Sequence, residues 1–494
     1  MNSRWFFLPA REWGLIAAAS LATAVVAADA YIADSWWLGI AVAVAVGLVL
    51  HTFAVSRMVP WIPGLAALVA MVQWVLAPWV AYHIPPIVPT FYMPLPPQAY
   101  FRYAVPATLV WVVGLYLPLR RPGRSRSDGP RPAVVVPKSF RLTCDILVAA
   151  GLAASVALAH GTPAAIDYAV RLVSDLAFVG ALGLLIARVP GWGWRLGAVL
   201  AARAAMSSAD GMFHDVVIWA AYSCAVAAFV FRVRPPVLIS LAAGALVLMG
   251  ALNEIKAEYR SELSANPDLP LANRVELLGT TLATQLQDPT SVFAGAARSR
   301  AIARLNQGWI IARTLVWVPA NEPFANGETV ENAVWNAVIP RVAQQKYEAG
   351  GVYFQRFTGM PLPRATSMNL SIAGEMYANY GPAWGLLGVG VVAFLVGLIF
   401  RGFALRARRS PLWYAWAPYV LLYAVQAENG LGEEINQITK SLVVTALLVT
   451  VLPAWNSLRG PRGAGGERLA PIGQAAWRPP VSDLTPLSGA SESA

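Results

Sequence analysis

Residues 330–390 read VENAVWNAVIPRVAQQKYEAGGVYFQRFTGMPLPRATSMNLSIAGEMYANYGPAWGLLGVG, and the rest of the chain is organised around this stretch. It begins with an aromatic- and arginine-bearing segment and continues through a segment rich in Pro, Thr and Ser. It then reaches the run GEMYANYGPAWG at residues 374–385. This run is predicted to pass without a break into an apolar helix that begins near Ala383. Polar residues suited to chemistry are therefore delivered directly onto a membrane surface.

The composition of the chain is typical of a helical membrane protein. Of 494 residues, 57% are hydrophobic and 13% are charged, whereas a soluble chain carries about 25% charged residues. The long apolar runs predict an all-α polytopic membrane protein. The net charge of +11 collects in connections on one face of the membrane, so it does not predict a nucleic-acid partner.

Twelve apolar segments are candidate membrane spans, and most reach the roughly 17–25 residues that a bilayer requires. The segment at 194–208 is the weakest, because it is short and carries Arg203, and a broken or re-entrant helix is an alternative there. The candidate spans cover residues 12–33, 36–56, 61–83, 101–119, 142–160, 165–187, 194–208, 214–232, 235–253, 383–401, 412–428 and 437–454.

Lys and Arg indicate the orientation of these spans. The termini and the linker at 120–141 are rich in arginine, whereas the alternate short connections, such as 84–100, 161–164 and 429–436, hold neither Lys nor Arg. Cytoplasmic connections carry the excess of positive residues. Both termini are therefore predicted to be cytoplasmic.

The chain is predicted to have four parts. Residues 1–253 form an N-terminal bundle of about nine spans, residues 383–456 form C-terminal membrane helices, and residues 457–494 form a disordered cytoplasmic tail rich in Gly, Pro and Ser. Between the two bundles, residues 254–382 form an external loop that is too long to be structureless. The loop is predicted to be mostly helical, with one of its helices at 296–314.

The external loop holds nine arginines but only two lysines. Arginine binds phosphate or carboxylate through a planar fork, so this excess indicates anion binding, although ordinary surface ion pairs are the alternative for any single arginine. The candidate ligands of a diphosphate or glycan in the loop are Arg298, Arg304, Arg313, Arg341, Lys346, Arg356 and Arg364.

Charged residues also lie inside the predicted spans. Arg171 and Asp175 are four residues apart and are expected to pair. Arg203 has no local partner, and an intramembrane charge is by default a candidate functional residue. Arg203 is therefore predicted to bind the diphosphate of a lipid, with a wrongly placed span boundary as the alternative.

Carboxylates near the loop are candidates for proton transfer. Glu375 stands alone two turns before the span that begins near Ala383, and it is predicted to act as a general base. The alternative is an acidic residue favoured by a helix N-terminus. Glu428, Glu433 and Glu434 lie in an external hairpin and could bind sugar hydroxyls or serve as the base, but at least two are expected to sit in water.

The sequence predicts no metal and no cofactor. The two cysteines, Cys144 and Cys224, lie in apolar segments, the four histidines are scattered, and no nucleotide-binding motif is present. An external site without a nucleotide motif must use a substrate that is already activated, either linked to a lipid or otherwise exported.

The segments VIPR at 338–341, Lys346, Thr366-Ser367 and GEMYANYG at 374–381 together resemble the bacterial O-antigen and exopolysaccharide repeat-unit polymerases of the Wzy type. In that family, an IPR-like segment, a lysine and a run of the form GE-Y-N-aromatic-G precede a late transmembrane helix. The specific match covers about 50 residues. The spaced arginine–glycine pattern of some members is not reproduced here, so which arginine is equivalent to which is not fixed.

The resemblance implies a GT-C-like glycosyltransferase with about twelve transmembrane helices in the bacterial inner membrane. Such an enzyme transfers a growing glycan from undecaprenyl diphosphate onto the next lipid-linked repeat unit, without a metal, because arginines stabilise the leaving diphosphate. The implied catalytic residues are Glu375 and Arg341, and Tyr377 and Asn379 of the shared run join the substrate-binding arginines. The implied partners are the undecaprenyl diphosphate-linked oligosaccharide, membrane lipid, a chain-length regulator and other polysaccharide assembly proteins.

Two other functions are open at this point. An O-antigen ligase shares the lipid donor but transfers the glycan to a different acceptor. A transporter of lipid-linked oligosaccharide should show repeated halves with broken helices near the midplane, and the sequence has no internal repeat.

The asymmetry of Lys and Arg predicts the topology. A reporter that is active only outside the cytoplasm should be active when fused after Gly295 and inactive when fused after Arg126. Cytoplasmic activity of the Gly295 fusion would reverse the orientation of the whole chain.

Overall fold

The computed structural model describes residues 62–84, 91–119, 138–210, 214–231, 302–339, 351–362, 368–407 and 410–452, with the isolated positions 40, 47, 135–136, 233, 273, 276, 279–280 and 467–468. The statements that follow concern these residues. Apart from residues 40 and 47, which are helical, the predicted spans at 12–33, 36–56 and 235–253 lie outside the described residues.

The described residues are almost entirely helical. In chain order the helices are α1 (Ile62–Met71), α2 (Ala77–His83), α3 (Pro97–Tyr116), α4 (Lys138–Ala159), α5 (Ala164–Ala187), α6 (Trp192–Asp210), α7 (His214–Phe231), α8 (Gly308–Trp317), α9 (Glu328–Val338), α10 (Gly351–Thr358), α11 (Ser371–Ala407), α12 (Trp416–Val420) and α13 (Leu431–Val451). A π-helical turn (Val72–Leu76) joins α1 to α2, and 3-10 turns occupy Leu117–Leu119 and Pro411–Ala415.

Two short strands complete the described elements. Strand β1 (Val135–Val136) pairs antiparallel with β2 (Glu467–Arg468), with Val135 opposite Arg468 and Val136 opposite Glu467. The sequence assigns β2 to the disordered tail, so this pairing connects two of its residues to the linker before α4.

Six helical segments of the described chain are long and apolar enough to cross a membrane. They are Ile62–His83, Pro97–Leu119, Ser139–Ala159, Ile166–Ala187, Ser371–Ala407 and Leu431–Val451, and the shorter segment Asp215–Phe231 is also apolar. Large apolar side chains such as Trp384 and Val443 are exposed on these helices, as expected for surfaces that face lipid. The chain is therefore a polytopic helical membrane protein, and each of the six segments overlaps a predicted span.

The predicted span at 412–428 is wrong as a continuous membrane helix. The chain there forms the 3-10 turn Pro411–Ala415 and the short helix α12, and residues 421–425 are a turn. Its side chains are buried, with Leu412, Trp416 and Tyr419 fully enclosed. Non-helical backbone is tolerated at membrane depth where protein surrounds it, which explains why this segment remains apolar without being a span.

Two other predicted helices are corrected in part. The segment at 194–208 lies within the unbroken helix α6, so the alternative of a broken helix is wrong, although α6 is not among the described helices that are long and apolar enough to cross a membrane. By contrast, the helix predicted at 296–314 is interrupted at Asn306–Gln307, and α8 begins at Gly308. Hydrophobic periodicity alone does not locate such an interruption.

The π-helical turn provides two docking points for other parts of the chain. The N–H of Ala77 donates to the carbonyl of Val72, which leaves the carbonyl of Gln73 free to accept from the N–H of Gln307 at 3.1 Å. Pro78 has no N–H, so the carbonyl of Trp74 lacks its helical donor and accepts instead from the Tyr100 hydroxyl at 2.6 Å. The irregular turn thus connects α1 and α2 to α3 and to the start of α8.

Helix α11 is broken at Gly381, which corrects the expectation that residues 374–385 run unbroken into the membrane helix. Gly381 has φ 73° and ψ −170°, a conformation open essentially only to glycine. The second segment, residues 382–407, begins next to the predicted Ala383. A Cβ on Gly385 would lie 2.9 Å from the carbonyl oxygen of Met376, so the two segments pack closely against each other.

Small residues allow the membrane helices to approach closely. Gly114 of α3 contacts Ala393 and the backbone of Gly390 in α11, and Gly397 contacts the backbone of Leu115. The hairpin of α4 and α5 uses Gly180 in the same way, since a Cβ there would lie 2.5 Å from the carbonyl oxygen of Cys144.

Replacing Gly180 tests this packing. Gly180→Ala should lower the melting temperature of the purified protein, because overpacking costs about 1–3 kcal/mol. Gly197→Ala in α6 is the matched control: nothing lies within 4 Å of its added Cβ, and alanine is the better helix former. Equal melting temperatures for the two variants would contradict the packing described for α4 and α5.

Candidate functional site

The carboxylate of Glu375 lies at the centre of a buried hydrogen-bond network. Its Oε1 accepts from the Thr329 hydroxyl of α9 at 2.7 Å. The same hydroxyl accepts from Nδ2 of Asn379 at 2.7 Å, and that amide also donates to the Glu375 carbonyl at 2.8 Å. Glu375 is 4% exposed, Thr329 1% and Asn379 0%. The network fixes one turn of α11 against the N-terminus of α9.

The second carboxylate oxygen of Glu375 caps a different helix. Its Oε2 accepts from the backbone N–H of Leu431, the first residue of α13, at 2.8 Å. The first N–H groups of a helix have no intrahelical acceptor, and a carboxylate there also interacts favourably with the helix dipole. The alternative interpretation of Glu375, an acidic residue that interacts with a helix N-terminus, is therefore correct in part. The helix whose N-terminus it caps is α13, whereas Glu375 itself belongs to α11.

The break at Gly381 positions the loop that precedes α9. Pro382 has no N–H, so the carbonyl of Ala378 lacks its helical donor and accepts from Ala325 at 3.0 Å. The carbonyl of Asn379 accepts from Asn326 at 3.0 Å, and its Oδ1 accepts from Gly327 at 3.1 Å. The end of the first α11 segment therefore holds residues 325–327, and they in turn hold the start of α9.

A polar cleft opens beside Glu375. It encloses about 380 Å³ of space, part of it open to solvent. The polar side chains that line it come from α9, α10, α11, α13 and the approach to α11, and they are Thr329, Asn332, Asn336, Tyr353, Asn369, Glu375 and Glu433. Gly430 lines the cleft as well, and a Cβ there would lie 3.2 Å from Oε2 of Glu375. Glycine at position 430 thus lets the chain pass close to the carboxylate.

Glu433 is the second carboxylate of the cleft. Its Oε2 accepts from Nδ2 of Asn369 at 2.8 Å, and it lies in the first turn of α13. Oε1 of Glu433 has no donor among the described residues. Glu433 therefore combines a fixed position with an unoccupied oxygen, whereas both oxygens of Glu375 already accept a hydrogen bond.

Tyr353 closes one side of the cleft. Its hydroxyl accepts from Nδ2 of Asn332 at 2.8 Å, and its ring packs beside Phe357. Burial raises the pKa of Tyr353, and the hydrogen bond from Asn332 opposes this only in part. The phenol therefore stays neutral at physiological pH and can donate its own proton to a ligand.

Arg356, a predicted diphosphate ligand, lies one helical turn after Tyr353 but is already paired. Its Nε donates to Glu322 at 2.6 Å, and its Nη1 donates to both oxygens of Glu328 at 2.9 Å. The hydrogen bond to Glu322 is the main cause that raises the pKa of Arg356. The two carboxylates compensate the charge of Arg356 and anchor α10 to α9.

The carboxylates of the 428–434 segment do not simply sit in water. Oε2 of Glu428 accepts from Nε2 of Gln73 at 3.3 Å and from Nε2 of Gln307 at 3.2 Å. Glu434 is 2% exposed, and its Oε1 has no hydrogen-bond partner in the described part of the chain. Glu434 therefore does not sit in water, whereas Glu428 and Glu433 are partly exposed and each accepts a hydrogen bond from a side chain of another segment.

Arg203 lies in an ion-pair cluster within the helix bundle. Its Nη2 is 2.7 Å from Oδ1 of Asp175 and 3.4 Å from Oδ2 of Asp215, and both Arg203 and Asp175 are buried. Arg171, predicted to pair with Asp175, forms a salt bridge with Asp167 at 2.8 Å and also attracts Asp175 electrostatically. None of these charged residues is among the described residues that line the cleft.

Of the other predicted site residues, some are buried, some are exposed and some lie outside the described residues. Tyr377 is buried, donates to the carbonyl of Val318 at 3.3 Å and packs against Tyr103. Arg304 is exposed, and Arg313 lies on α8 with a buried Nε that lacks a partner in the described residues. Arg298, Arg341, Lys346 and Arg364 lie outside the described residues.

Sequence reasoning missed the polar face of α9. Thr329, Asn332 and Asn336 recur at the spacing of one helical face, opposite the exposed Val334 and Val338. This periodicity in GETVENAVWNAV was available in the sequence and predicts an amphipathic helix. Asn369 gave no such signal, because it lies outside a helix.

The chain matches no protein-family model, no curated protein and no solved structure. Within the described residues, no group of three or more His, Cys, Asp or Glu side chains is arranged to hold a metal ion.

Removing the Thr329 hydroxyl tests the network. Thr329→Val should destabilise the protein by about 1–3 kcal/mol, because Oε1 of Glu375 and Nδ2 of Asn379 both lose a buried partner. It should lower the melting temperature, followed by tryptophan fluorescence, more than Thr314→Val does. Thr314 is equally buried, but its hydroxyl donates only to the Ile310 carbonyl of its own helix. A larger effect at Thr314 would contradict the central role of the Glu375 network.

Proposed function

We propose that this protein polymerises undecaprenyl diphosphate-linked oligosaccharide repeat units by glycosyl transfer on the external face of the bacterial inner membrane. The observation that carries the proposal is the cleft at the ends of α11 and α13. It combines two carboxylates with three primary amides, Asn332, Asn336 and Asn369, beside helices long enough to span a membrane. Carboxylates and amides suit the hydroxyl groups of a sugar.

The reaction requires a base and an anion-binding group. The oxygen of an acceptor hydroxyl attacks the anomeric carbon of the donor glycan, and the bond from that carbon to the diphosphate oxygen breaks. The diphosphate leaves with the electron pair as undecaprenyl diphosphate. The hydroxyl proton passes to a carboxylate of the cleft.

Glu375 and Glu433 are the two carboxylates of the cleft that could serve as the base. Glu375 is assigned as the base, since it lines the cleft and is held from two sides by Thr329 and Leu431. Glu433 is the alternative base, because its Oε1 accepts no hydrogen bond from the described residues. Each carboxylate oxygen has two lone pairs, so the donors on Glu375 do not prevent it from accepting the substrate proton.

The leaving diphosphate requires cations that are not already compensated. Arg341 follows the cleft residue Asn336 by five positions, and Arg364 precedes Asn369 by five positions. These two residues and Lys346 are assigned to the diphosphate, where a planar guanidinium fork stabilises the developing charge.

Purified protein in liposomes, supplied with lipid-linked repeat units, tests the proposal. Glu375→Gln should lower turnover by about 10²–10⁴ with donor binding retained, and the reaction should survive EDTA. Glu331→Gln is the control, since Glu331 is exposed on α9 and does not line the cleft.

Three other outcomes would change the identity of the base, the metal-free mechanism or the type of transfer. Normal turnover in Glu375→Gln together with loss in Glu433→Gln would move the base to Glu433. Activity lost in EDTA and restored by Mg²⁺ or Mn²⁺ would reject a metal-free reaction. Transfer to an acceptor other than a repeat unit, without polymer, would favour a ligase.

A further inference from the structure

The exposed face of α9 changes from charged to apolar along the helix. Its first turn exposes Glu328 and Glu331, whereas its last two turns expose Val334, Trp335 and Val338, the last of which is 64% exposed. We infer that these last two turns are inserted among the lipids of the leaflet in which α13 begins. The inference concerns the contact of α9 with lipid and does not depend on the proposed reaction.

The break in α11 gives the depth at which α9 starts. On the second α11 segment Trp384 and Leu387 are exposed, and tryptophan is enriched where a membrane meets water. Met376, the neighbour of Glu375 in the first segment, packs against the second segment, since a Cβ on Gly388 would lie 2.7 Å from the Met376 sulfur. The turn of α11 that carries Glu375 is therefore level with residues that face lipid.

Helix α9 starts at this level and packs along α13. Thr329, near the start of α9, and Leu431, at the start of α13, are both hydrogen-bonded to Glu375, so the two helices begin side by side. Ala333 and Ala337, one and two turns after Thr329, are buried, and α13 is the described helix against which α9 packs most extensively. The last two turns of α9 therefore lie beside α13, which is long and apolar enough to cross a membrane.

The apolar end of α9 continues the lipid-facing surface of α13. Residues 431–441 of α13 are buried or half-buried, whereas Leu442 and Val443 are exposed. Helix α9 has 11 residues. Because α-helices rise equally per residue, α9 covers α13 from its start to about residue 441. Val338 thus ends α9 at the point where the exposed apolar surface of α13 begins.

The side chain of Trp335 has the orientation expected at a membrane interface. Its Nε1 donates to Oε1 of Glu331 at 3.3 Å, toward the charged end of α9. The polar edge of the indole is thereby satisfied, while the ring remains exposed. Tryptophan suits such a boundary because only one edge of its ring is polar. A helix of this kind buries its apolar residues at the boundary between headgroups and acyl chains and keeps its charged residues in the headgroup region.

Spin labels on the protein in liposomes test the depth of α9. Cys224, which is exposed, is changed to alanine, whereas the buried Cys144 is kept. Single cysteines are then introduced and labelled by the substitutions Glu331→Cys, Val334→Cys, Val338→Cys and, as the lipid-facing reference, Val443→Cys. For each label, the rate of collision with oxygen, which concentrates in lipid, is compared with the rate of collision with a nickel chelate, which stays in water.

The ratio of oxygen to nickel collisions should rise from position 331 through position 334 to position 338. Its value at position 338 should equal the value at the reference position 443. The protein with Cys224→Ala and no introduced cysteine should take up no label, and the labelled proteins should keep its melting temperature because the labelled side chains are exposed.

Two results would overturn the inference. A ratio at position 338 as low as that at position 331 would place the end of α9 in water. Low collision rates with both reagents at position 338 would show that another part of the chain covers this face. Val334 and Val338 lie on the same exposed face, so if one of these variants fails to fold, the other decides the result by the same comparison with positions 331 and 443.

Discussion

The hydrogen bonds of Glu375 hold together three segments that are far apart in sequence. One carboxylate oxygen accepts a hydrogen bond from the Thr329 hydroxyl of α9, and the other accepts one from the N–H of Leu431 at the start of α13. A buried carboxylate without donors is costly, so the position of each helix depends on the presence of the other. The same side chain therefore caps α13, anchors the amphipathic helix α9 and lines the cleft. Under the proposed function, the contacts that hold these helices together also hold the base in position.

Irregular backbone provides the other connections. Pro382 and Pro78 each lack an N–H, and in each case the carbonyl four residues earlier accepts from another segment: Ala378 from Ala325, and Trp74 from Tyr100. Buried carbonyl groups must be satisfied, and within a membrane protein no bulk water is available to do so. Each proline thus leaves a backbone carbonyl without its helical donor, and a donor from another segment forms a hydrogen bond to that carbonyl instead. The breaks in α11 and after α1 are docking points rather than defects: the first holds the loop before α9 against α11, and the second holds α3 and the start of α8 against the π-helical turn.

The sequence predicted the membrane-spanning character well because that character depends on local composition. The segments around α3, α5 and α13 are long and apolar, and no tertiary contact is needed to recognise them. The interruption at 421–425 was not predictable in this way, since an enclosed turn of apolar residues has the composition of a span. The partner of Arg203 was missed because Asp175 and Asp215 lie on other helices. For the site, Glu375 was found from its isolation in an apolar run. The polar face of α9 that includes Thr329 was present in the sequence but was not recognised, whereas Asn369 became visible only through its hydrogen bond with Glu433 of α13.

The ion pairs of the arginines distinguish those that hold helices together from those that remain candidates for diphosphate binding. Arg203 lies between Asp175 and Asp215, and Arg356 lies between Glu322 and Glu328. A guanidinium in such a pair would have to give up its carboxylates before it could bind a diphosphate. For Arg203 and Asp175, which are both buried, breaking the pair costs about 3–5 kcal/mol. The pairs of Arg356 are partly exposed and cost less to break. The sequence gave no reason to exclude Arg203 or Arg356 as a diphosphate ligand, but their ion pairs favour a role in holding helices together. Under the proposed reaction, binding of the diphosphate is therefore assigned to Arg341 and Arg364, each five positions from a cleft residue in the sequence, while the carboxylates of the cleft accept the proton of the hydroxyl.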